Sequence, residues 1–225
     1  MSEQDGWINL ACANRAYTDI IFYNEKLYAL ANNGSVEAWD FRGKFPKKVM
    51  EIAPSFIIDE EEHMNFPFDK FSAQLYLVES KGEILLTKRY IGNFVNANGV
   101  ALYEADLLTV DDTHPLVCPY RTKSFSLYKL DFIKIKWEKK ESLDDQVLFL
   151  GGNHSMSLSA RDFCNEFEAN SIYFTDDKWD EMNEDYLYGG HDLGVFSFKD
   201  GKTKPLHLCE MDRIDPPPFW IVPIM

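Results

Sequence analysis

The sequence has no segment that would carry the chain into or across a membrane. No apolar run approaches the roughly 18 residues that a membrane-spanning helix needs. The amino terminus, MSEQDGWINLACANR, has neither a basic start nor an apolar stretch of signal-peptide length. These absences predict an intracellular protein, cytoplasmic or nuclear, with no membrane contact.

Positive charge is scarce in this chain of 225 residues. Lysine and arginine number 23 against 37 aspartates and glutamates, so the net charge is −14 and the isoelectric point lies near 4.7. Because affinity for phosphate backbones comes from clustered basic residues, nucleic acids and anionic membranes are not expected partners. A charged partner should be basic.

The usual patterns for metals, cofactors and catalytic nucleophiles are also missing. There is no C-x-x-C, H-x-H or H-E-x-x-H, so we expect no metal site. There is no phosphate-binding G-x-x-x-x-G-K-[ST] or G-x-G-x-x-G and no G-x-S-x-G, so we expect no nucleotide cofactor and no catalytic residue. Without a pairing pattern, the cysteines are predicted to be buried thiols. They are Cys12, Cys118, Cys164 and Cys209.

Two local patterns keep an enzymatic alternative open. In the stretch GGNHS, His154 and Ser155 are adjacent, which in a strand places them on opposite faces. We interpret this stretch as a structural turn where a side chain at Gly151 or Gly152 would clash.

The second pattern is an acidic run. It lacks the glycine and glutamate spacing of a calcium loop, and we interpret it as a solvated loop. A pair of glycosidase carboxylates, about 5 to 9.5 Å apart, remains possible because the sequence gives no distances. The acids are Asp176, Asp177, Asp180, Glu181, Glu184 and Asp185.

Short apolar runs rich in β-branched and aromatic residues dominate the chain. Apolar residues make up 45% of it and aromatic residues 15%, which is enough for a large core in one domain. The runs recur between turn residues, which is typical of an all-β fold. Asn33-Gly34 and Asp200-Gly201 predict hairpins with type I′ turns. Predicted strands cover residues 19–23, 26–31, 35–41, 48–52, 74–79, 83–90, 124–130, 134–139, 147–150, 155–159, 171–176, 194–198 and 203–208.

The strands group into three units of four. A shift of 48 positions aligns LYALANNGSVEAWDF with LYLVESKGEILLTKR, which superimposes Gly34 on Gly82. The third unit is less regular and uses either VLFLGG or SMSLS as its first strand. In KIKWEKK, Ile135 and Trp137 share one face of a predicted outer edge strand. Four-stranded antiparallel units of this kind predict a partial, kelch-like β-propeller of about three blades with few or no helices.

Several ordered segments resemble a known family. They include DIIFYNEKLYALANNGSVEAWD, QLYLVESKGEILLTKR, NSIYFTDD, LGVFSFKDGK and PPPFWIVP. The set resembles the plant F-box-associated family known as domain of unknown function 295, the KIB-type β-propeller. The resemblance implies a propeller that recruits a target protein behind an F-box, which docks on a Skp1-type adaptor of a ubiquitin ligase.

The amino terminus departs from the family pattern. Residues 1–18 contain no Leu-Pro-rich helical pair, so we expect a remnant without an F-box, followed by an incomplete propeller domain at 19–225. A Skp1-type adaptor is therefore an expected partner only of family members that carry the F-box. Open blade faces should either associate with something or leave the chain marginally stable.

The best candidate surface is the loop 178–192, KWDEMNEDYLYGGHD. Aromatic residues held by loops over a rigid sheet are favoured binding anchors, although two tyrosines here fit equally well as packed strand residues. The candidate partner-binding residues are Trp179, Tyr186, Tyr188 and His191.

Three functions are compatible with the sequence. The first is a non-catalytic protein-interaction module that recruits a target protein, as the resemblance implies. The second is a truncated scaffold without ligase function, and the third is a glycosidase-like enzyme with an acidic cleft.

Overall fold

The computed structural model describes residues 16–54, 60–107, 118–163, 166–179, 191–206 and 218–221, with residues 60 and 61 described by their backbone alone. The chain divides into two compact units, Met1–Pro54 and Ser55–Met225. No helix in the described ranges is long and apolar enough to cross a membrane. All thirteen predicted strands are present, and the fold is all-β as predicted.

The first unit contains one antiparallel sheet of four strands in sequential order. They are β1 (Tyr17–Tyr23), β2 (Lys26–Ala31), β3 (Val36–Asp40) and β4 (Lys47–Ile52). Side chains alternate between the two faces, and Leu30, Val36 and Ile52 are fully buried. On the other face of the edge strand β1, Ile20 and Phe22 are exposed. This sheet matches the first predicted unit.

The second sheet lies in the second unit and is also a sequential antiparallel meander. A short helix, α1 (Glu60–Asn65), precedes it, and another, α2 (Glu104–Leu107), lies between its second and third strands. Lys136–Lys140 is the predicted edge strand and buries Trp137, whereas Ile135 lies in the preceding turn. The strands are β5 (Phe71–Ser80), β6 (Glu83–Gly92), β7 (Arg121–Asp131) and β8 (Lys136–Lys140).

The third sheet differs from the predicted antiparallel unit of four strands. Both candidate first strands are used, and the sheet has five strands in the order β10-β9-β11-β12-β13. Strands β9 and β11 are parallel, because β10 and a 3-10 turn at Ala160–Phe163 return the chain before β11. The strands are β9 (Gln146–Leu150), β10 (Met156–Ser159), β11 (Ser171–Phe174), β12 (Gly194–Ser197) and β13 (Lys202–Pro205).

The main core of the second unit lies between its two sheets. Strand β9 is buried on both faces, and its alternate residues Leu148 and Leu150 belong to this core. On the opposite face, Val147 and Phe149 form a smaller cluster with Ala160. The core residues are Tyr76, Val78, Leu85, Phe125, Leu127, Leu143, Leu148, Leu150, Ile172, Phe174 and Phe196.

The two predicted glycine hairpins exist, but their turns are not type I′. Positive φ falls on Gly34 and Gly201 and not on the residues before them. The Gly34 amide donates to Ala31, whereas the Gly201 amide donates to Ser197, so both loops are longer than two residues. The prediction of turn type was therefore wrong.

Two-residue turns with positive φ at both positions occur instead at Asn24-Glu25 and Lys81-Gly82. The glycines aligned by the 48-residue shift, Gly34 and Gly82, both have positive φ. However, the shift superimposes β2 and β3 on β5 and β6, which are strands two and three of one sheet and one and two of the next. The internal similarity therefore reflects a shared hairpin and not a blade period.

Candidate functional site

Strand ends of both sheets meet at one end of the second unit. In one sheet, the last residue of β6 pairs with the first residue of β7. In the other sheet, the last residues of β9 and β11 lie beside the first residue of β12. The predicted binding loop leaves β11 and returns to β12, so it is based at this end. The adjoining pairs are Gly92 with Arg121, Leu150 with Phe174, Phe174 with Gly194, and Gly194 with Pro205.

Arg89 forms the centre of a buried polar cluster at this end. Its side chain is 1% exposed and lies over the ring of Phe174, with the guanidinium carbon 4.6 Å from the ring centroid. The guanidinium donates to the Asp192 carboxylate at 3.0 Å and to the carbonyl of Thr175 at 3.0 Å. It also donates to the Thr122 hydroxyl at 2.6 Å. One side chain thus joins β6, β7 and both ends of the loop that follows β11.

Asp192 accepts hydrogen bonds from several directions. Besides Arg89, the backbone amide and the hydroxyl of Thr122 donate to its Oδ2 at 2.8 and 2.6 Å. Burial raises the pKa of Asp192, and the opposing effects of Arg89 and Thr122 only partly offset that increase. Burial would lower the pKa of Arg89, but Tyr76 and the carboxylates of Asp192 and Asp177 raise this pKa above its ordinary value. Arg89 therefore carries a full positive charge inside the protein.

Asp176 joins the two ends of the candidate loop. Its Oδ2 accepts the Asp192 backbone amide at 2.9 Å and the Tyr120 hydroxyl at 2.7 Å, while its Oδ1 accepts the amide of Lys178. Asp176 is 1% exposed. The carboxylate therefore closes the base of the loop.

The prediction that the acidic run is a solvated loop is wrong for its first two members. Asp177 accepts the Tyr76 hydroxyl and lies 3.5 Å from an Arg89 nitrogen. Donors at the sheet ends hold both carboxylates, Asp176 and Asp177. These hydrogen bonds offset the cost of removing the carboxylates from water. The other four acids of the run lie outside the described residues.

Trp179 is fixed on the turn that follows β9. Its indole nitrogen donates to the carbonyl of Asp176 at 3.0 Å, and 38% of the residue remains exposed. A Cβ on Gly152 would lie 2.7 Å from the indole ring, so the absence of a side chain there lets Trp179 approach. The adjacent Gly151 similarly faces Thr175 and Trp220. The predicted clash at both glycines is confirmed.

Trp220 supports the opposite side of the same turn. Its indole nitrogen donates to the Leu150 carbonyl at 2.8 Å, and its ring packs edge-on against Phe149. Asn153 and the Trp220 backbone exchange two hydrogen bonds. The neighbouring Phe219 and Ile221 are exposed. We call Trp179, Phe219, Trp220 and Ile221, which follow or flank the Gly151-Gly152 turn, the aromatic rim.

The four predicted site residues fall into three situations. Trp179 belongs to the aromatic rim, and His191 lines a cleft next to Asp192. The carbonyl of Asp176 accepts the Trp179 indole and its carboxylate accepts the amide of Asp192, next to His191, so both residues lie at the base of one loop. Tyr186 and Tyr188 lie outside the described residues. Their role in partner binding stays a prediction.

The residues that hold this end together were not predicted from the sequence. Arg89 is one of three charged residues in the strand EILLTKRY, Thr122 lies outside any motif, and Asp192 was noted only as the last residue of the candidate loop 178–192. A buried arginine and its acceptors come from distant strands, so spacing along the chain gives no signal of their meeting. Trp220 was noted only within the family segment PPPFWIVP. The buried state of Cys118 is confirmed, and the other three cysteines lie outside the described residues.

Comparison with known proteins identifies the family. The family model described as KIB1-4 beta-propeller matches residues 2–197. The chain belongs to the KIB1-4 β-propeller family. The resemblance noted from the sequence is confirmed. No solved structure matches the chain.

The similar curated proteins are F-box proteins of Arabidopsis thaliana. F-box protein SKIP23 is 28% identical over 210 residues, which cover 91% of this chain and 46% of the relative. F-box only protein 7 is 25% identical over 178 residues, covering 76% of this chain and 37% of the relative. The chain therefore spans less than half the length of these two relatives.

Proposed function

We propose that this chain is a non-catalytic protein-interaction module that holds a target protein at the aromatic rim. The observation that carries the proposal is the exposed indole of Trp179, which is fixed by a hydrogen bond and by contact with Gly152. A binding anchor that is rigid before binding loses little conformational entropy on association. Tryptophan is also among the residue types enriched at interface positions that dominate affinity.

The family supports the same class of function. Its curated relatives are F-box proteins, and we propose that this propeller supplies target recruitment as in a ubiquitin ligase substrate receptor. In this proposal, residues 19–225 bind the target, and contact with a Skp1-type adaptor is not assigned to them. We place the activity inside the cell, in the cytoplasm or nucleus.

The net charge of the chain favours one class of target protein. The chain carries a net charge of −14, so long-range attraction favours a basic target surface. The rim would then provide the short-range apolar contacts. Association should slow as salt concentration rises, because salt screens the attraction beyond about one Debye length.

Target capture with matched variants tests the proposal. The full chain and a Trp179→Ala variant are immobilised, partners are captured from plant extract, and the recovered partner is purified and its affinity measured. We expect Trp179→Ala to weaken binding about 30-fold or more, as for an interface anchor worth about 2 kcal/mol. The control is Ile133→Ala, which removes a 94% exposed apolar side chain from the turn between β7 and β8 at the other end of the sheet. Equal affinity of the two variants and the unmodified chain would contradict the proposal.

The glycosidase alternative makes a separate prediction. Asp176 and Asp177 are engaged by Tyr120, Tyr76 and backbone amides, which accounts for them as structural acids. We therefore expect no hydrolysis of a panel of chromogenic glycosides. Hydrolysis that is lost in Asp176→Asn, with the variant still folded by circular dichroism, would establish the enzyme instead. The truncated-scaffold alternative would show neither capture nor hydrolysis.

A further inference from the structure

A cleft of about 710 Å³ opens beside the Arg89 cluster in the second unit. It lies between the start of β7, the loop around Gly99, residues 191–193 and the hairpin of β12 and β13. Its volume falls in the range of roughly 300 to 1,000 Å³ that is usual for small-molecule sites. The aromatic rim is not part of its lining, so this cleft is a separate feature.

The cleft has an unusual charge for so acidic a protein. Arg121, Lys123 and Lys202 line it. Among the lining residues that the structure describes, Asp192 is the single acid. Its carboxylate is occupied by Arg89 and by both donors of Thr122, and the residue is 4% exposed. The cleft therefore presents positive charge in a chain whose net charge is −14.

Apolar side chains form another part of the lining, beside the polar side chains of Thr122, Thr203 and His191. Val95 and Leu193 are buried, whereas Pro205 and Leu206 are exposed at the end of β13. Phe174 is fully buried beneath the Arg89 guanidinium. An apolar body next to a positively charged wall is a combination suited to an amphipathic anion, since each part of such a ligand meets a matching surface.

Hydrogen bonds connect the parts of the wall. The Lys123 ammonium donates to the carbonyl of Gly99 at 2.5 Å, and the hydroxyl of Thr203 donates to the carbonyl of Lys123 at 3.4 Å. Lys123 thus links three of the four elements around the cleft. His191 has a left-handed φ of 40°, and its buried Nε2 has no hydrogen-bond partner within the described part of the chain. A non-glycine residue in this conformation is strained, which is common beside ligand sites.

We propose that this cleft binds a small organic anion, a phosphate or carboxylate attached to an apolar body about the size of an aromatic ring system. The oxyanion is held by Lys123 and Lys202, and the apolar body packs against Leu206 and its neighbours. This site is additional to the protein-binding function. Its ligand is a free small molecule and not a side chain of the target.

Calorimetry with a defined probe tests the site. The full chain is titrated with 1-naphthyl phosphate, with neutral 1-naphthol and with inorganic phosphate. We expect 1-naphthyl phosphate to bind at least about tenfold more tightly than either fragment, because each fragment satisfies only one part of the cleft.

Two variants assign the binding to the cleft. Lys123→Gln/Lys202→Gln should weaken 1-naphthyl phosphate binding about tenfold or more, because hydrogen bonds to charged groups are lost. The matched control is Lys136→Gln/Lys139→Gln on β8, which removes the same charge from exposed positions outside the lining. Leu206→Ala should weaken 1-naphthyl phosphate and leave inorganic phosphate unchanged. Urea unfolding confirms that each variant folds.

Several results would overturn the proposal. Equal binding of naphthol and naphthyl phosphate would exclude anion recognition. Equal effects of the cleft and β8 variants would show nonspecific attraction, and no detectable binding of naphthyl phosphate would exclude the site. A phosphotyrosine peptide that binds while free naphthyl phosphate does not would assign the cleft to the target protein. Target capture is measured separately with Trp179→Ala, so the two proposals fail independently.

Discussion

A single buried arginine organises the candidate end of the second unit. Arg89 is buried away from bulk solvent, so the stability of its charge depends on the acceptors that surround it. Three of these, Asp192, Asp177 and the Thr175 carbonyl, lie near the segment between β11 and β12. The residue that fixes the base of the candidate loop is therefore in another sheet.

Removing one partner of the buried Arg89–Asp192 ion pair should destabilise the fold more than removing both partners together. We expect Arg89→Met to lower the free energy of unfolding by about 3 to 5 kcal/mol, because the buried Asp192 carboxylate loses its counter-charge. Arg89→Met/Asp192→Leu should be less destabilised than the sum of the two single variants. Urea unfolding of the four proteins gives the coupling energy. A coupling energy of zero would show that the two residues do not interact.

Gly152 should tolerate no side chain while Trp179 stays in place. We expect Gly152→Ala to destabilise the protein by about 1 to 3 kcal/mol, because its Cβ would overlap the indole of Trp179. Gly43→Ala is the control, since a Cβ there meets nothing closer than 3.4 Å. Thermal unfolding and tryptophan fluorescence measure the two effects. Equal stability of both variants would contradict the close contact.

At the scale of elements, strands were easier to predict than turns. Short apolar runs bounded by turn residues indicate that β2 and β6 are strands, and both are buried along most of their length. Turn type depends on how many residues separate the last paired positions, and the register of the whole hairpin sets that number. Asn33-Gly34 fits two kinds of turn equally well, so its sequence alone did not distinguish them.

The turn between β7 and β8 contains a strained residue. Ile135 has a φ of 51°, which is unfavourable for a β-branched side chain, and it is 47% exposed. We expect Ile135→Asn to increase the free energy of unfolding by about 1 kcal/mol, because asparagine tolerates positive φ. Ile133→Asn is the matched control and should change stability by less than about 0.5 kcal/mol. Urea unfolding of both variants distinguishes relief of strain from a general gain in polarity.

The first sheet contains a pH-dependent ion pair. Burial acts to raise the pKa of Glu37, but hydrogen bonds from Tyr17 and Lys48 outweigh it, so the pKa lies below its ordinary value of 4.5. Ionised Glu37 therefore stabilises the folded state above pH 4.5, and the gain is lost as the pH falls through the lower folded-state pKa.

Replacing Glu37 should remove this pH dependence. We expect Glu37→Gln to cost on the order of 1 kcal/mol at pH 7, and the difference from the unmodified protein should shrink below pH 4.5. Glu25→Gln, which neutralises an exposed glutamate in the same unit, is the control. Urea unfolding between pH 7 and pH 3 measures both. A constant difference across this range would rule out the ion pair as the cause.

At the scale of the whole molecule, the sequence predicted the family and the three sheets. It placed the four strands of the first sheet and of the second correctly, because both are simple meanders joined by recognisable turns. The third sheet was less predictable because β9 pairs with β11 across an intervening strand, and long-range pairing leaves no local signal. The candidate site was predicted only in part, because most of its residues also come together from distant parts of the chain. Trp179 is a local aromatic signal, whereas the cations of the cleft come from β7 and β13.

The parallel pairing of β9 with β11 also sets an order of events during synthesis. A nascent chain can form the hairpin of β9 and β10 as soon as residue 159 has left the ribosome. The other backbone edge of β9 has no partner until residue 174 has been made. An unpaired edge of a buried strand is a site for wrong pairing. During translation of residues 160 to 174 the growing polypeptide therefore exposes one edge of β9 to wrong partners.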